Sequence, residues 1–554
     1  VVIYGQREYE RAGAEASEAD TCWTLEKHFY YGDPTESLET GQEEPKNHDY
    51  NPISLEEDLK WRPMVKALES MPQLKDLVFR AEKEFPPSLL ATIKEFHPNC
   101  RLHLPRFWFR SLRHDVTDEH EMAVVSSPQL HTLGVLYMTR KSSPSSRWPL
   151  LKLRPPTPRR QPELTFHAGD SGGDDDYGLE ATKCLLKGVA PSLRRLTVEE
   201  IFPGSSMELF LARDRPRTPW EGFSAGPWSR LIQPEVKAKL ESCTLKGFDA
   251  REWHSLLHFD VLTHLSIDGR LKSEDLQWMA DQRPFHNLRR LAIRVQCDEY
   301  NPPECNQIEE ATNFFESLNP LHELFLSGEP GTELPKTILD RHGFSLRHLR
   351  FEVDHSDPSL LPKDCALQIR MNCPSLEKLA MPIHRKMGVR EEVEHYKALA
   401  GLPKLSDLEL TLFVQYAEEP FDVHGAAAAI QRRYTDEWME ENWKPSETNG
   451  QIYECYINSA IDERLARSIW RIITGDSVGY SLKFLHLIFE VPTCSNAAYD
   501  KIFPNRSWTL QRRLSSSNGP ESVEFTERLR NDWTANKGGG QLLAGRSRSS
   551  EREE

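Results

Sequence analysis

The chain has 554 residues, 38% of them hydrophobic and 28% charged, with a formal net charge of −16. That length supports a large core, and the acidic balance argues against generic nucleic-acid binding, which needs a basic surface for phosphates. No apolar run approaches the roughly 18–20 residues that span a bilayer; the longest small-apolar patch is Ala426 to Ile430, so no membrane partner is expected.

The chain opens on "VVIYGQREYE", which has no basic and no apolar leader region, so no signal peptide is visible. It also lacks an initiator Met, which leaves room for an upstream segment. The first fifty residues hold twelve Asp/Glu against four Lys/Arg. Low hydrophobicity combined with charge predicts an acidic, largely irregular N-terminal segment over residues 1–55.

From residue 56 one pattern recurs, Leu-x-x-Leu-x-apolar. Copies start at Leu74, Leu130, Leu193, Leu262, Leu288, Leu321, Leu346, Leu376, Leu405 and Leu482. From Leu262 the intervals are 26, 33, 25, 30 and 29 residues, and weaker copies fit near Leu102, Leu164 and Leu245. The second Leu and the next apolar residue are two apart, so they share one face of a strand, while the first enters from the preceding turn. A motif of this kind at this period is the signature of leucine-rich repeats, whose units cannot exclude water singly and must stack. The intervening segments read as helices. "SEDLQWMADQ" (Ser273–Gln282) starts on a Ser N-cap with two acids behind it. "EEATNFFESLNP" carries Phe314, Phe315 and Leu318 before a Pro stop. "REEVEHYKALAGLP" puts Val393, Tyr396 and Leu399 on one stripe, ended by Gly401 and Pro403. The expected fold class is α/β: a leucine-rich-repeat solenoid over residues 56–495, with parallel strands on the concave face and helices on the convex face.

Three regions interrupt the rhythm. Residues 139–161 carry seven Lys/Arg, no acids and many Pro/Ser, and 168–178 form an acidic glycine-rich stretch, giving one insertion at about 139–180. A second, at about 420–475, lengthens one interval to 77 residues and holds two expected helices, "GAAAAIQRRYTDEWMEENW" and "DERLARSIWRII", the latter with Leu465, Ile469 and Ile472 on one side. Residues 496–554, rich in Ser, Gly and Arg, read as a disordered tail.

Several motifs invite a chemical reading. Gly475-Asp476-Ser477-Val478-Gly479 fits G-x-S-x-G, the serine nucleophile elbow, which needs a strand before the serine and a helix after it. Here an amphipathic segment precedes Ser477 and a repeat strand follows. The stretch His342–Val353 ("HGFSLRHLRFEV") aligns with Val478–Phe489, matching Gly343 to Gly479 and Leu346 to Leu482 without any G-x-S-x-G. The serine is therefore read as part of a turn, with the hydrolase reading disfavoured. The ten cysteines form no C-x-x-C; Cys297/Cys305 and Cys365/Cys373 lie eight apart with no histidine pattern, so reduced thiols in a cytoplasmic or nuclear protein are expected. Asp170 and Asp174 to Asp176 lack the register of an EF-hand loop. "RPPTPRR" (Arg154–Arg160) fits a polyproline ligand, a frequent chance match, as is Asn505-Arg506-Ser507 for glycosylation. No catalytic, metal or cofactor residue is assigned.

The concave face is more informative. Its third motif positions are Asp76, Thr132, Arg195, His264, Arg290, Glu323, His348, Lys378, Asp407 and Phe484, and its fifth positions include Phe325, Arg350, Glu409 and His486. Exposed aromatics and arginines are enriched at binding hot spots. The expected partner-binding set is Arg290, Phe325, His348, Arg350, Asp407, Glu409, Phe484 and His486.

The stretches Leu59–Phe79 ("LKWRPMVKALESMPQLKDLVF") and Phe85–Leu112 ("FPPSLLATIKEFHPNCRLHLPRFWFRSL"), with "RHGFSLRHLRF", "NCPSLEKLAMP" and "LAGLPKLSDLELTL", resemble a large group of fungal proteins similar to F-box/leucine-rich-repeat proteins. The resemblance covers about residues 55–490. It implies a substrate receptor of a cullin-type ubiquitin ligase, in which an F-box helix bundle binds the adaptor and the repeats hold the target. The F-box itself is not visible: residues 1–55 hold no Leu-Pro-x-Glu before an apolar helix, and "LPKTIL" (Leu334–Leu339) belongs to a repeat helix. A scaffold or regulatory binder without a ligase role is the alternative.

Overall fold

The computed structural model describes residues 1–3, 53–81, 84–109, 118–137, 177–200, 232–233, 235–246, 249–269, 271–295, 307–353, 361–362, 364–385, 388–414, 462–475, 481–490, 506–513 and 522–529. Val2–Ile3 (β1) is followed by helices Leu55–Leu59 (α1) and Arg62–Glu69 (α2). Strand and helix then alternate through Asp76–Phe79 (β2), Pro87–Phe96 (α3), Arg101–Phe107 (β3), Glu119–Val125 (α4), Leu130–Tyr137 (β4), Gly178–Cys184 (α5) and Arg195–Glu200 (β5), after which the next described element is the strand Ser242–Lys246 (β6). The series continues through Ala250–Leu256 (α6), His264–Asp268 (β7), Ser273–Gln282 (α7), Arg290–Val295 (β8), Gln307–Ser317 (α8), Glu323–Gly328 (β9), Glu333–His342 (α9) and His348–Val353 (β10). It ends with Cys365–Asn372 (α10), Lys378–Arg385 (β11), Arg390–Leu399 (α11), Asp407–Val414 (β12), Glu463–Thr474 (α12), Phe484–Glu490 (β13), Arg506–Arg513 (β14) and Ser522–Leu529 (β15).

All fifteen strands join one sheet whose spatial order is the chain order. Pairing is parallel from β1 to β13 and antiparallel for the last two partnerships. The chain is thus an α/β protein in which each helix carries the backbone from one strand to the next parallel one.

The leucine spacing builds this order. In the coil of β10, Leu346, Leu349 and Phe351 are all buried; Leu288, Leu291 and Ile293 repeat the arrangement at β8, and Leu405, Leu408 and Leu410 at β12. Register keeps the columns aligned, Leu324 against Leu349 and Leu379 against Leu408. These columns and the inner faces of the helices form one continuous apolar core. Each such side chain contributes about 1.5–3 kcal/mol on burial.

Polar side chains tie each coil to its predecessor. Asn287 Nδ2 donates to Asp260 O at 2.6 Å and Asn319 Nδ2 to His286 O at 2.8 Å. Gln129 Nε2 donates to Ile93 O and His97 O, adding a second donor to carbonyls at the end of α3 that already accept from His97 N and Cys100 N. His342, fully buried, accepts from Leu321 N at Nδ1 and donates from Nε2 to Phe315 O at 3.1 Å. Gly343 sits where a Cβ would approach Asn372 O to 2.8 Å, so the turn leading into β10 is closed to larger residues.

Several expectations need correction. The tail does not begin at 496: β14 and β15 extend the sheet, because Trp508 and Leu510, two apart, put an apolar face on the core within a Ser/Arg-rich sequence. Within the N-terminal segment expected to be largely irregular, Val2 and Ile3 pair with Val78 and Phe79, and residues 4–52 lie outside the described residues. Lys272, not Ser273, is the N-cap of α7, and its side chain makes no cap bond. The buried face of α12 is Ala466, Ile469, Trp470 and Ile473, with Leu465 and Ile472 half-buried at its margins. In α11 Tyr396 and Leu399 are buried while Val393 is half-buried. The Leu164 copy, the basic Pro-rich and acidic stretches from 139 to 176, the helix expected from Gly425 to Trp443, and the residues from 530 onward lie outside the described residues.

Candidate protein-binding face

Alternation along each strand turns one set of side chains to the core and the other to the open face. At β8 and β9 the two classes alternate residue by residue. All eight residues expected to bind a partner fall on the open face, on β8, β9, β10, β12 and β13. The register draws them into two rows. Glu323, His348, Lys378, Asp407 and Phe484 stand side by side, as do Phe325, Arg350, Ala380, Glu409 and His486.

The second row is a connected network. The Arg350 guanidinium lies 5.6 Å from the centroid of the Phe325 ring. It reaches Glu352 at 3.4 Å and Glu409 at 3.2 Å. Glu409 is two strands away, and the small Ala380 between them leaves the path open. His486 Nδ1 lies 3.5 Å from the other oxygen of Glu409. In the first row Glu323 is shared by Arg290 at 3.0 Å and His348 at 3.3 Å. Burial pushes the Glu323 carboxyl up, but the His348 hydrogen bond and the charges of His348 and Arg290 outweigh it, so its pKa falls below the usual value. Asp407 accepts from the neighbouring Ser406 hydroxyl. Phe484 is 37% exposed at the end of its row.

The other half of the face differs. The fifth positions there are Thr197, Thr244, Ser266 and Ala292, all small. Ser242, Thr244, Ser266 and Ala292 floor a depression of about 30 Å³. That is room for a single water, far below the roughly 300–1,000 Å³ of a small-molecule pocket.

At the first strands lies a constellation that the sequence reading missed. His103 bridges Asp76 Oδ1, 3.0 Å from its Nε2, and Thr132 Oγ1, 2.8 Å from its Nδ1. Asp76 also takes a bidentate contact from Arg101, which holds its pKa down at about 2. The "CRLHL" copy put His103 on a strand, but a register shift between β3 and β4 sets it against Thr132, and no sequence period reports such a shift. The order carboxylate, imidazole, hydroxyl is that of a nucleophilic triad. Thr132, however, is 2% exposed, leaving a substrate no approach to its hydroxyl.

Ser477 lies outside the described residues; helix α12 precedes it and strand β13 follows, the reverse of the order an elbow needs. Among the described residues no group of three or more His, Cys, Asp or Glu is placed to hold a metal ion, and no helix is long and apolar enough to cross a membrane. Cys365 and Cys373 are buried free thiols, each pushed up by burial to about 12. Cys297 and Cys305 lie outside the described residues. No family model matches the chain, and no curated protein matches it either.

Proposed function

We propose that this chain is a leucine-rich-repeat solenoid that binds another protein on its open, concave face, and that it serves as an F-box-like substrate receptor of a cullin-type ubiquitin ligase. The observation that carries the binding reading is the Phe325, Arg350, Glu409 and His486 row. It is a continuous, solvent-facing surface that crosses five strands and mixes an aromatic with both charge signs. The repeat assignment is supported by buried leucine triplets at matching register in successive coils. The ligase role rests on the resemblance of residues 55–490 to F-box/leucine-rich-repeat proteins, and a scaffold without that role is the second reading.

Affinity isolation of the tagged full chain, followed by mass spectrometry, tests both readings. The expected result is co-isolation of the ligase adaptor and cullin with a substrate, and loss of the substrate alone in the Phe484→Ala variant. A substrate without adaptor leaves the scaffold reading. A partner set unchanged by Phe484→Ala removes this face from the function.

A further inference from the structure

The second and third motif positions form a rim along the N-terminal ends of the strands. Backbone bonds hold its register from coil to coil: Arg194 N to His131 O, Arg289 N to Thr263 O, His322 N to Arg289 O and Arg347 N to His322 O, all within 3.0 Å. From β3 to β10 these positions carry six arginines, namely 101, 194, 195, 289, 290 and 347, against two carboxylates, Glu241 and Glu323, in a chain of net charge −16. Arg101 is engaged by Asp76, Arg290 by Glu323, and Arg194 by the Pro191 and Leu193 carbonyls. The other three, Arg195, Arg289 and Arg347, are exposed and have no carboxylate partner among the described residues.

Burial is the first cause lowering the neighbouring histidines, and the rim's arginines add to it against the opposing charge of Glu323. Burial first, and then the Arg290 and Arg195 charges, lower His264 to about 4. His322 is lowered by burial and then by Arg289 and Arg347. With six arginines against two carboxylates along these strands, the rim is locally electropositive on an acidic protein.

We propose that this arginine rim docks an acidic, extended segment of the protein partner, lying across the strands with carboxylates three to four residues apart. This rests on the reading of the open face as a protein-binding surface. The spacing follows from the sheet. Arg195 and Arg289 stand three strands apart and Arg289 and Arg347 two. At roughly 4.8 Å per strand these gaps are about 14 and 10 Å, or about four and three residues of extended chain. Charge complementarity selects the acidic peptide. A nucleic acid fits less well, because Glu241 and Glu323 interrupt the rim and no Phe, Tyr or Trp stands at its second and third positions between β3 and β10 to stack a base.

The test is fluorescence anisotropy of the full chain with a labelled 16-residue peptide bearing Glu at every third or fourth position, beside the same peptide with Gln for each Glu. The expected result is binding of the Glu peptide alone, weakening as salt rises. Arg195→Glu and Arg289→Glu should each reduce affinity about tenfold while Arg195→Lys retains it, with circular dichroism and melting unchanged. Equal binding of the Gln peptide, full affinity in folded Arg195→Glu, or tighter binding of a single-stranded oligonucleotide overturns the proposal. Failure here beside a substrate lost in Phe484→Ala would sink the acidic ligand and leave the protein-binding face standing.

Discussion

The stretch β5–β8 and the stretch β9–β13 share one interior and present two different exteriors. Inside, Leu291 and Ile293 repeat as Leu324 and Leu326 and again as Leu485 and Leu487, buried alike. Outside, Thr197, Thr244, Ser266 and Ala292 give way to Phe325, Arg350, Ala380, Glu409 and His486. Burial restricts the inward columns to apolar residues of similar volume, whereas the outward columns are free of that restriction. One architecture can thus carry a small-residue, arginine-rimmed surface and an aromatic, charge-paired one within a few strands.

The sharpest way to break that comparison is to treat an inward position as if it faced outward. Leu349 is 2% exposed and packs between Leu324 and Leu379. Leu349→Asp buries a carboxylate without a partner and should cost on the order of 4 kcal/mol. Urea unfolding would read this as a large drop in midpoint; a drop below about 1 kcal/mol would place the inward and outward columns the wrong way round.

A smaller effect tests the links between coils. The buried His342 imidazole is held neutral by burial, its pKa lowered from 6.5 to about 4, and it both donates and accepts within the core. The unfolded chain takes up a proton near pH 6.5 while the folded chain does not until about pH 4. Stability is therefore complete above pH 6.5 and is lost as pH falls through that window. At pH 5 this one residue accounts for about 2 kcal/mol. His342→Gln keeps a donor and an acceptor but does not titrate, so its urea midpoint should fall less between pH 7 and pH 5 than that of the parent. Parallel losses would assign the acid sensitivity to other groups, beginning with His264 and His131, which burial also lowers to about 4.

How much of this was legible in the sequence follows from the same division. The period of Leu-x-x-Leu-x-apolar located the strands β2 to β13, because burial enforces the period. It missed β14, where only Trp508 and Leu510 carry the alternation and the composition points to disorder. It placed the eight site residues on the open face, since facing follows from parity. It could not join Arg350 to Glu409 across β11, or Asp76 to Thr132 through His103, because those contacts depend on register between strands and on how far each side chain reaches.

The smallest expected effect on stability belongs to the residue beside Leu349. Arg350 is about one-third exposed and its partners Glu352 and Glu409 are solvated too, so its ion pairs contribute little to folding. Arg350→Asp should change stability by less than about 1 kcal/mol. Its consequence falls on the surface: the cation over Phe325 is lost, and a third carboxylate joins Glu352 and Glu409. A partner engaging this row should dissociate faster from the variant than from the parent, as surface plasmon resonance would record. If Leu349→Asp and Arg350→Asp gave equal urea midpoints, adjacent residues would not be dividing folding from binding, and the contrast between a shared interior and a divergent exterior would lose its physical basis.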